Sequence, residues 1–330
     1  MSKKTNFGKI NGREAMVVGI IIVMVALFSI LSPTFRTYST FVSVLDMSYY
    51  IALMAIGVTF TLITGGVDLS IGTGLICYSL FGGYLIVHKD VPVVVALIAC
   101  LVLSILIGAL NGFLVAIMDL PPFLATLCTC MITRGLGSLL SGGFGVSWPS
   151  SLEPEGWFRK IFRFTVNGKV IPIGIVVVVV LVLLMNFILK HTKIGRYTIA
   201  IGSNKEATKL AGVNVKFYHV FAYVISGFFA GLAAIAYSAT YVTIYPGSGA
   251  GFELDAIGGA IVGGVSASGG VGTITGAFLG VLVITLMKVG LPFIGLQANW
   301  QQIFTGLVLI GAVLILSLIH ISEPTRLALI

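Results

Sequence analysis

Residues 171–189 read IPIGIVVVVVLVLLMNFIL, and residues 190–216 that follow read KHTKIGRYTIAIGSNKEATKLAGVNVK. The first run carries no charge and is long enough to cross a hydrocarbon core of about 30 Å as a helix. The second carries six Lys/Arg against one acid, Glu206. So abrupt a change marks the end of a membrane span with a basic segment hung beneath it. Within that segment the spacing predicts a short free-standing helix. Asn204 is a good N-cap, Glu206 in the first turn suits the positive end of the dipole, and Gly212 supplies a left-handed stop. Ala207, Leu210 and Ala211 share one apolar face. A capped helix with an apolar stripe and no neighbour of its own invites a partner.

The whole chain has the same character. Hydrophobic residues make up 58%, charged residues 9%, and the mean hydropathy is +1.10, against about 25% charged in a soluble domain. An all-α integral membrane protein is expected, with about ten transmembrane helices. The net charge of +8 then speaks to orientation in the bilayer, and no aromatic–basic pattern suggests nucleic acid. Cys77, Cys100, Cys128 and Cys130 all lie in apolar stretches without the further ligands of a metal shell. They are expected to be small packing residues, and no cofactor is implied.

Apolar runs between charge clusters and Gly/Pro breaks place spans near 15–32, 41–63, 68–87, 91–117, 122–141, 171–189, 217–240, 255–267, 270–290 and 299–315. The eighth is short and the fifth could be partly re-entrant. The transmembrane region is thus 15–315, after an N-terminal tail of 1–14 with Lys3, Lys4, Lys9 and Arg13. The run from Met16 to Leu31 lacks a cleavage site and is expected to stay as the first span. With the N-terminus in the cytoplasm, ten basic residues fall inside, counting the tail and 190–216, and six fall outside, including Arg159, Arg163 and Lys169 of the 143–170 loop. That balance favours this orientation. The stretch LSLIHISEPTR, 316–326, back-translates to a transposon-type sequencing adapter. Residues 316–330, with His320, Glu323 and Arg326, are therefore expected to be an adapter artefact.

The halves echo each other. Gly108-Ala109, Gly112 and Leu114-Val115 are matched by Gly276-Ala277, Gly280 and Leu282-Val283. Pro122-Phe123 and Gly135-Leu136 are matched by Pro292-Phe293 and Gly306-Leu307. An offset of five spans relates 1–5 to 6–10 by an inverted-topology repeat, a common transporter architecture. Close helix packing would also produce Gly-Ala-x-x-Gly.

No nucleophile–base pair suggests itself, and no phosphate-binding loop is present, since Gly8-Lys9 and Gly168-Lys169 lack its other elements. His88, His191 and His219 are expected at span ends, in contact with the interface. Two Gly-rich breaks stand out: ITGGVDLSIGTG at 63–74 and ELDAIGGAIVGGVSASGGVG at 253–272. Irregular backbone and carboxylates at membrane depth need polar surroundings. Asp68 either lines a cavity or caps the third span. Glu253 and Asp255 are expected at the outer end of the eighth span, as caps. Thr126, Thr129 and Thr133 share a helical face, lining a polar route or bonding back to their own helix. Arg134 meets an internal acid or the interface. Asp68, Ser70, Asn111, Phe123, Thr126 and Thr129 are the candidates for a substrate pathway.

The motifs ITGGVDLSIG (63–72), NGFLVA (111–116), LPPFLATL (120–127), TKIGRYTIAIGSNKEATKLAGVNV (192–215) and FELDAIGGAIVGGVSASGGVGT (252–273) resemble the permease subunit of bacterial ABC importers for simple sugars. This is the ribose/galactoside/xylose branch of the branched-permease superfamily. The similarity covers Met16 to Ile315. It implies a multi-pass protein of the bacterial plasma membrane that pairs with a second permease chain, identical or homologous. It further implies ABC ATPase subunits and an extracytoplasmic sugar-binding protein as partners. The segment 190–216 becomes the coupling loop, with Gly195, Arg196, Gly202, Asn204, Glu206, Ala207, Lys209, Leu210 and Gly212 in that role. Trp148 and Trp157 in the 143–170 loop would help the binding protein dock, or else anchor at the interface. The alternatives are an ABC permease for a furanone, inositol or nucleoside, and an ion-coupled transporter in which Asp68 or Glu253 carries the ion.

Overall fold

The computed structural model describes residues 12–322. Lys3, Lys4 and Lys9 of the basic lead, and Glu323 and Arg326 of the adapter-like tail, lie outside the described residues. The chain forms α1 (Gly12–Leu31), α2 (Tyr38–Ile63), α3 (Ser70–Lys89), α4 (Val93–Ala116), α5 (Pro122–Leu140) and α6 (Gly174–His191). There follow α7 (Lys193–Ser203), α8 (Lys205–Leu210), α9 (Val215–Thr240), α10 (Phe252–Val262), α11 (Ile274–Gly290) and α12 (Ala298–Ser322).

Each expected span has its helix, and among the described residues eight are long and apolar enough to cross a membrane. The exception that matters is α10. Its eleven residues reach about 16 Å, half a hydrocarbon core. It starts after Gly251, at a left-handed φ of 89°, with Glu253 packed against Gly72 of α3. The two Gly-rich breaks therefore meet within the bundle. The basic segment departs from expectation as well, folding as two helices. Thr192 caps α7 by accepting from Gly195 N, and Asn204 then caps α8 by accepting from Ala207 N.

The centre is α2 packed on α9. Every residue of α2 from Ser48 to Ile63 is buried, as expected of a helix that is apolar all round. Its Gly57 lies against Ser226 and Phe229 of α9. Other helices pack around this pair in matched fashion. α3 rests on α5 as α10 rests on α12, and α4 rests on α9 as α11 rests on α2. The repeated glycines behave differently in the two halves. Gly108 and Gly112 bring α4 onto Tyr223, Gly227 and Val220 of α9, whereas Gly276 and Gly280 bring α11 onto Gly259 of α10 and Gly263 just past its end. Both pairs serve close backbone approach, against helices that the repeat does not make equivalent.

At the end opposite the basic segment, residues 141–173 form a lid. β1 (Val146–Ser147) pairs with a later strand at 243–244, and β2 (Phe164–Val166) with β3 (Lys169–Ile171) closes a hairpin on Asn167-Gly168. Trp148 is 2% exposed, with its indole N–H donating to Ser79 O at 2.9 Å. Its ring fills the space that Gly82 and Gly83 leave on α3. Both readings offered for Trp148 are thus corrected: a side chain this deep neither receives a partner nor anchors in lipid. Trp157 is exposed. Arg159 is also buried, donating to Pro149 O and Ala239 O at 2.6 and 3.0 Å. Burial, with Arg163 beside it, pushes its guanidinium down to about 10, still protonated at neutral pH. Arg163 pairs with Asp46 of α2 at 3.3 Å. Charges that the sequence assigned to orientation are the clasps of this lid.

Candidate functional site

Around the first break the chain gathers a buried polar network. Asp68 Oδ1 accepts from Ser70 N at 3.0 Å and Ser70 Oγ at 2.6 Å, and Asp68 Oδ2 accepts from Ser226 Oγ at 2.7 Å. Asn111 Nδ2 donates to Ser70 Oγ at 2.8 Å, and Thr129 Oγ1 donates to Asn111 Oδ1 at 2.7 Å. Thr126 Oγ1 and Tyr223 OH reach Val67 O at 3.3 and 3.4 Å. Asp68, Ser70, Asn111, Thr126 and Thr129 are all buried, so five of the six pathway candidates come together. Phe123 stands apart, 58% exposed on α5. Asp68, Ser70, Asn111 and Thr129 bond one another and, through Ser226, tie α3, α4, α5 and α9 into one body, while Thr126 bonds back to Pro122 O of its own helix at 2.8 Å. Ser226 and Tyr223 are the members that the sequence did not single out; Ser226 lies 158 residues from Asp68, and nothing local marks it.

Thr133 donates or accepts at 2.8 Å with Thr73, whose hydroxyl also reaches Cys130 O at 3.0 Å. Beside them, Arg134 lines a cavity of about 150 Å³ between α3, α5 and residues 246–250. Arg134 itself is exposed, and no ion pair forms there among the described residues.

The second break departs further from expectation. Asp255, expected as a cap at the outer end of its span, is 2% exposed and ion-paired with Lys288 of α11 at 2.5 Å. A carboxylate this deep needs a cation, and Lys288 was legible only as a lone charge in an apolar run. The pair borders an open cleft of about 530 Å³ with Gln301, whose amide donates to Lys288 O at 3.0 Å. Glu253 is half-buried, and one of its carboxylate oxygens lacks a partner among the described residues.

The basic segment is held from above and open below. A β-carbon on Gly195 would collide with Leu189 O of α6, and one on Gly202 would collide with Ile63 O and Gly270 N. Gly202 thus seats α7 against the end of α2 and the later part of the 263–273 turn, next to Gly65 and Gly269. Beyond it, Asn204 Oδ1 accepts from Ala207 N at 2.8 Å, and Gly212 takes a φ of 79°. Ala207, Leu210 and Ala211 are exposed, Leu210 by 89%. Arg196, Glu206 and Lys209 are exposed around them. The shape is a short rigid knob whose base touches both breaks. His219, expected at an interface, is instead buried, with neither ring nitrogen partnered among the described residues.

A family model described as branched-chain amino acid transport system / permease component matches residues 40–313. The ribose import permease protein RbsC of Escherichia coli (strain K12) is 34% identical over 302 residues, spanning 89% of this chain and 91% of its own. The galactose/methyl galactoside import permease protein MglC of Haemophilus influenzae is 31% identical, spanning 91% and 92%. The fructose import permease protein FrcC of Rhizobium meliloti is 30% identical, spanning 90% and 82%. No solved structure matches the chain.

Proposed function

This chain belongs to the branched-chain amino acid transport system / permease component family, and we propose that it is the membrane-spanning subunit of an ATP-binding-cassette importer for a monosaccharide. It is a multi-pass membrane protein and not an enzyme; ATP hydrolysis lies in a separate ATPase subunit. Import of this type also requires a substrate-binding protein, which sits on the far-end lid, with the basic end in the cytoplasm. Two permease chains face each other in the working assembly.

The observation that carries the mechanism is the seating of Gly202. The apolar face of α8, with Arg196 and Lys209 beside it, docks in a groove of the ATPase, an ordinary helix-in-groove contact. When the ATPases close, α8 and α7 move as one. Gly202 then presses on the end of α2 and on the 263–273 turn, the places where both breaks reach the basic end. The Asp68 network keeps α3, α4, α5 and α9 together, so the displacement is a rocking of this body rather than a local unfolding. A route between two chains, faced by Phe123 and the exposed side of α5, changes which end it opens to. Sugar passes without tight binding.

The paired charge reversal Arg196→Glu with Lys209→Glu tests the docking. Both residues are exposed, so the melting temperature should hold while co-purification of the ATPase and ATP-driven sugar uptake both fall. Unchanged association and uptake would remove these residues from the contact. Accumulation of sugar by vesicles holding this chain alone, driven by an ion gradient, would defeat the proposal as a whole.

A further inference from the structure

The 263–273 turn that α7 meets at Gly270 is soft by composition. Residues 263, 264, 269, 270 and 272 are glycine, and Gly264, Gly269 and Gly270 take left-handed φ values of 93°, 89° and 75°. Glycine leaves the backbone its widest freedom, so a turn of this kind bends under load unless something outside it holds it. A restraint of that sort comes from α1. Glu14, in the first turn of α1, accepts at one carboxylate oxygen from Thr275 Oγ1 at 2.6 Å and from Thr273 Oγ1 at 3.1 Å. Thr273 is the N-cap of α11, where its hydroxyl accepts from Gly276 N at 3.0 Å. The carboxylate thus stands over the positive ends of α1 and α11 together, where both dipoles favour its charge. Arg13 beside it lies along Gly264, so the start of α1 reaches both limbs of the turn.

The rest of α1 is mostly exposed. Its buried residues are Val17 and Phe28, and Phe28 fills the space that Gly290 leaves on α11. Glu14 and Phe28 stand about 21 Å apart along the helix, so α1 is fastened to α11 near both ends and the two form one strut. Toward the far end of that strut, Lys288 of α11 holds Asp255 of α10, at the second break.

We propose that Glu14 is a positioning residue for transport. It binds the glycine-rich turn to the α1–α11 strut, so that a displacement applied at Gly270 travels along α11 to the Asp255–Lys288 pair instead of being lost in the turn. This rests on the coupling reading given above, and it gives the first helix a mechanical part.

The test uses the full-length chain with its ATPase and binding protein in proteoliposomes, and reads monosaccharide imported per ATP hydrolysed. Glu14→Ala should lower that ratio about fivefold, through loss of a charge-assisted contact that bears load, while ATP hydrolysis persists. Thr275→Val keeps the side chain's shape and removes the donor, and should do the same; the double variant should be no worse than either alone. Glu14→Gln keeps an acceptor for both hydroxyls and should restore most of the ratio. In the chain alone, amide hydrogen exchange across 263–273 should quicken in Glu14→Ala and Thr275→Val. A residue that served stability alone would lower import and hydrolysis together and leave the ratio unchanged. That outcome overturns the proposal, as does wild-type exchange in the turn of both variants. Should the wild type import no monosaccharide with ATP, the transport reading fails by itself, and the exchange measurement then decides whether Glu14 holds the turn.

Discussion

Adding one methyl group at Gly202 should separate docking from transport. A β-carbon there would stand 2.5 Å from Gly270 N and closer to Ile63 O. Those two atoms are joined by a 2.8 Å hydrogen bond. Ordinary contact begins near ~3.5 Å, so the closer contact, with Ile63 O, requires α7 to part from the end of α2 by about 2 Å. Overpacking a closed site costs about 1–3 kcal/mol. Loss of the Gly270–Ile63 bond would add about 1–3 kcal/mol for the orphaned N–H. For a chain of this size that sum lowers the melting temperature by roughly 5–15 °C. The face of α8 is untouched, so Gly202→Ala should still co-purify with the ATPase. In proteoliposomes with ATPase and binding protein, uptake of labelled monosaccharide should fall more than about tenfold, since a gap of this size is a large misplacement for a force-bearing contact. Gly19→Ala, where nothing lies within 4 Å of the added carbon, is the control. Wild-type uptake and melting in Gly202→Ala would refute the claim that this contact passes motion to the breaks.

Other perturbations probe the body that moves. Asp68→Ala leaves the hydroxyls of Ser70 and Ser226 without their common acceptor, and should cost about 3–5 kcal/mol in detergent unfolding, against about 1–2 kcal/mol for Ser226→Ala. A smaller penalty for Asp68→Ala than for Ser226→Ala would contradict the network. Lys288→Ala strands a buried carboxylate and should destabilise by about 3–5 kcal/mol, with Asp255→Asn in the same chain recovering most of it; the absence of recovery would show that the pair is not the cause. Trp148→Ala empties the seat against Gly82 and Gly83, at about 3–5 kcal/mol, and should expose the 141–173 lid to protease.

The spans, the two breaks and the capped knob were open to reading from the chain because each depends on local chemistry. Apolar length decides a span, Asn204 with Gly212 brackets a helix, and clustered glycines interrupt one. Pathway candidates were partly legible for the same reason: Asp68 and Ser70 are two residues apart, and Thr126 and Thr129 share a face. What they do together was not. Their saturation depends on Ser226 and Asn111, delivered by helices far along the chain. Likewise, Asp255 reads as a cap until α11 brings Lys288 beside it, and Trp148 reads as an interfacial anchor until the lid folds onto α3.

By itself, then, the order of residues determined that this polypeptide lives in a bilayer, where it breaks, and which segment projects from it, because water and lipid sort apolar runs from charged ones without reference to the rest of the chain. Only the packed bundle decided which polar groups face one another and where α7 touches the breaks. Buried hydrogen bonds and glycine contacts act over about 3 Å, a range within which neighbours are chosen by the fold and not by proximity along the chain.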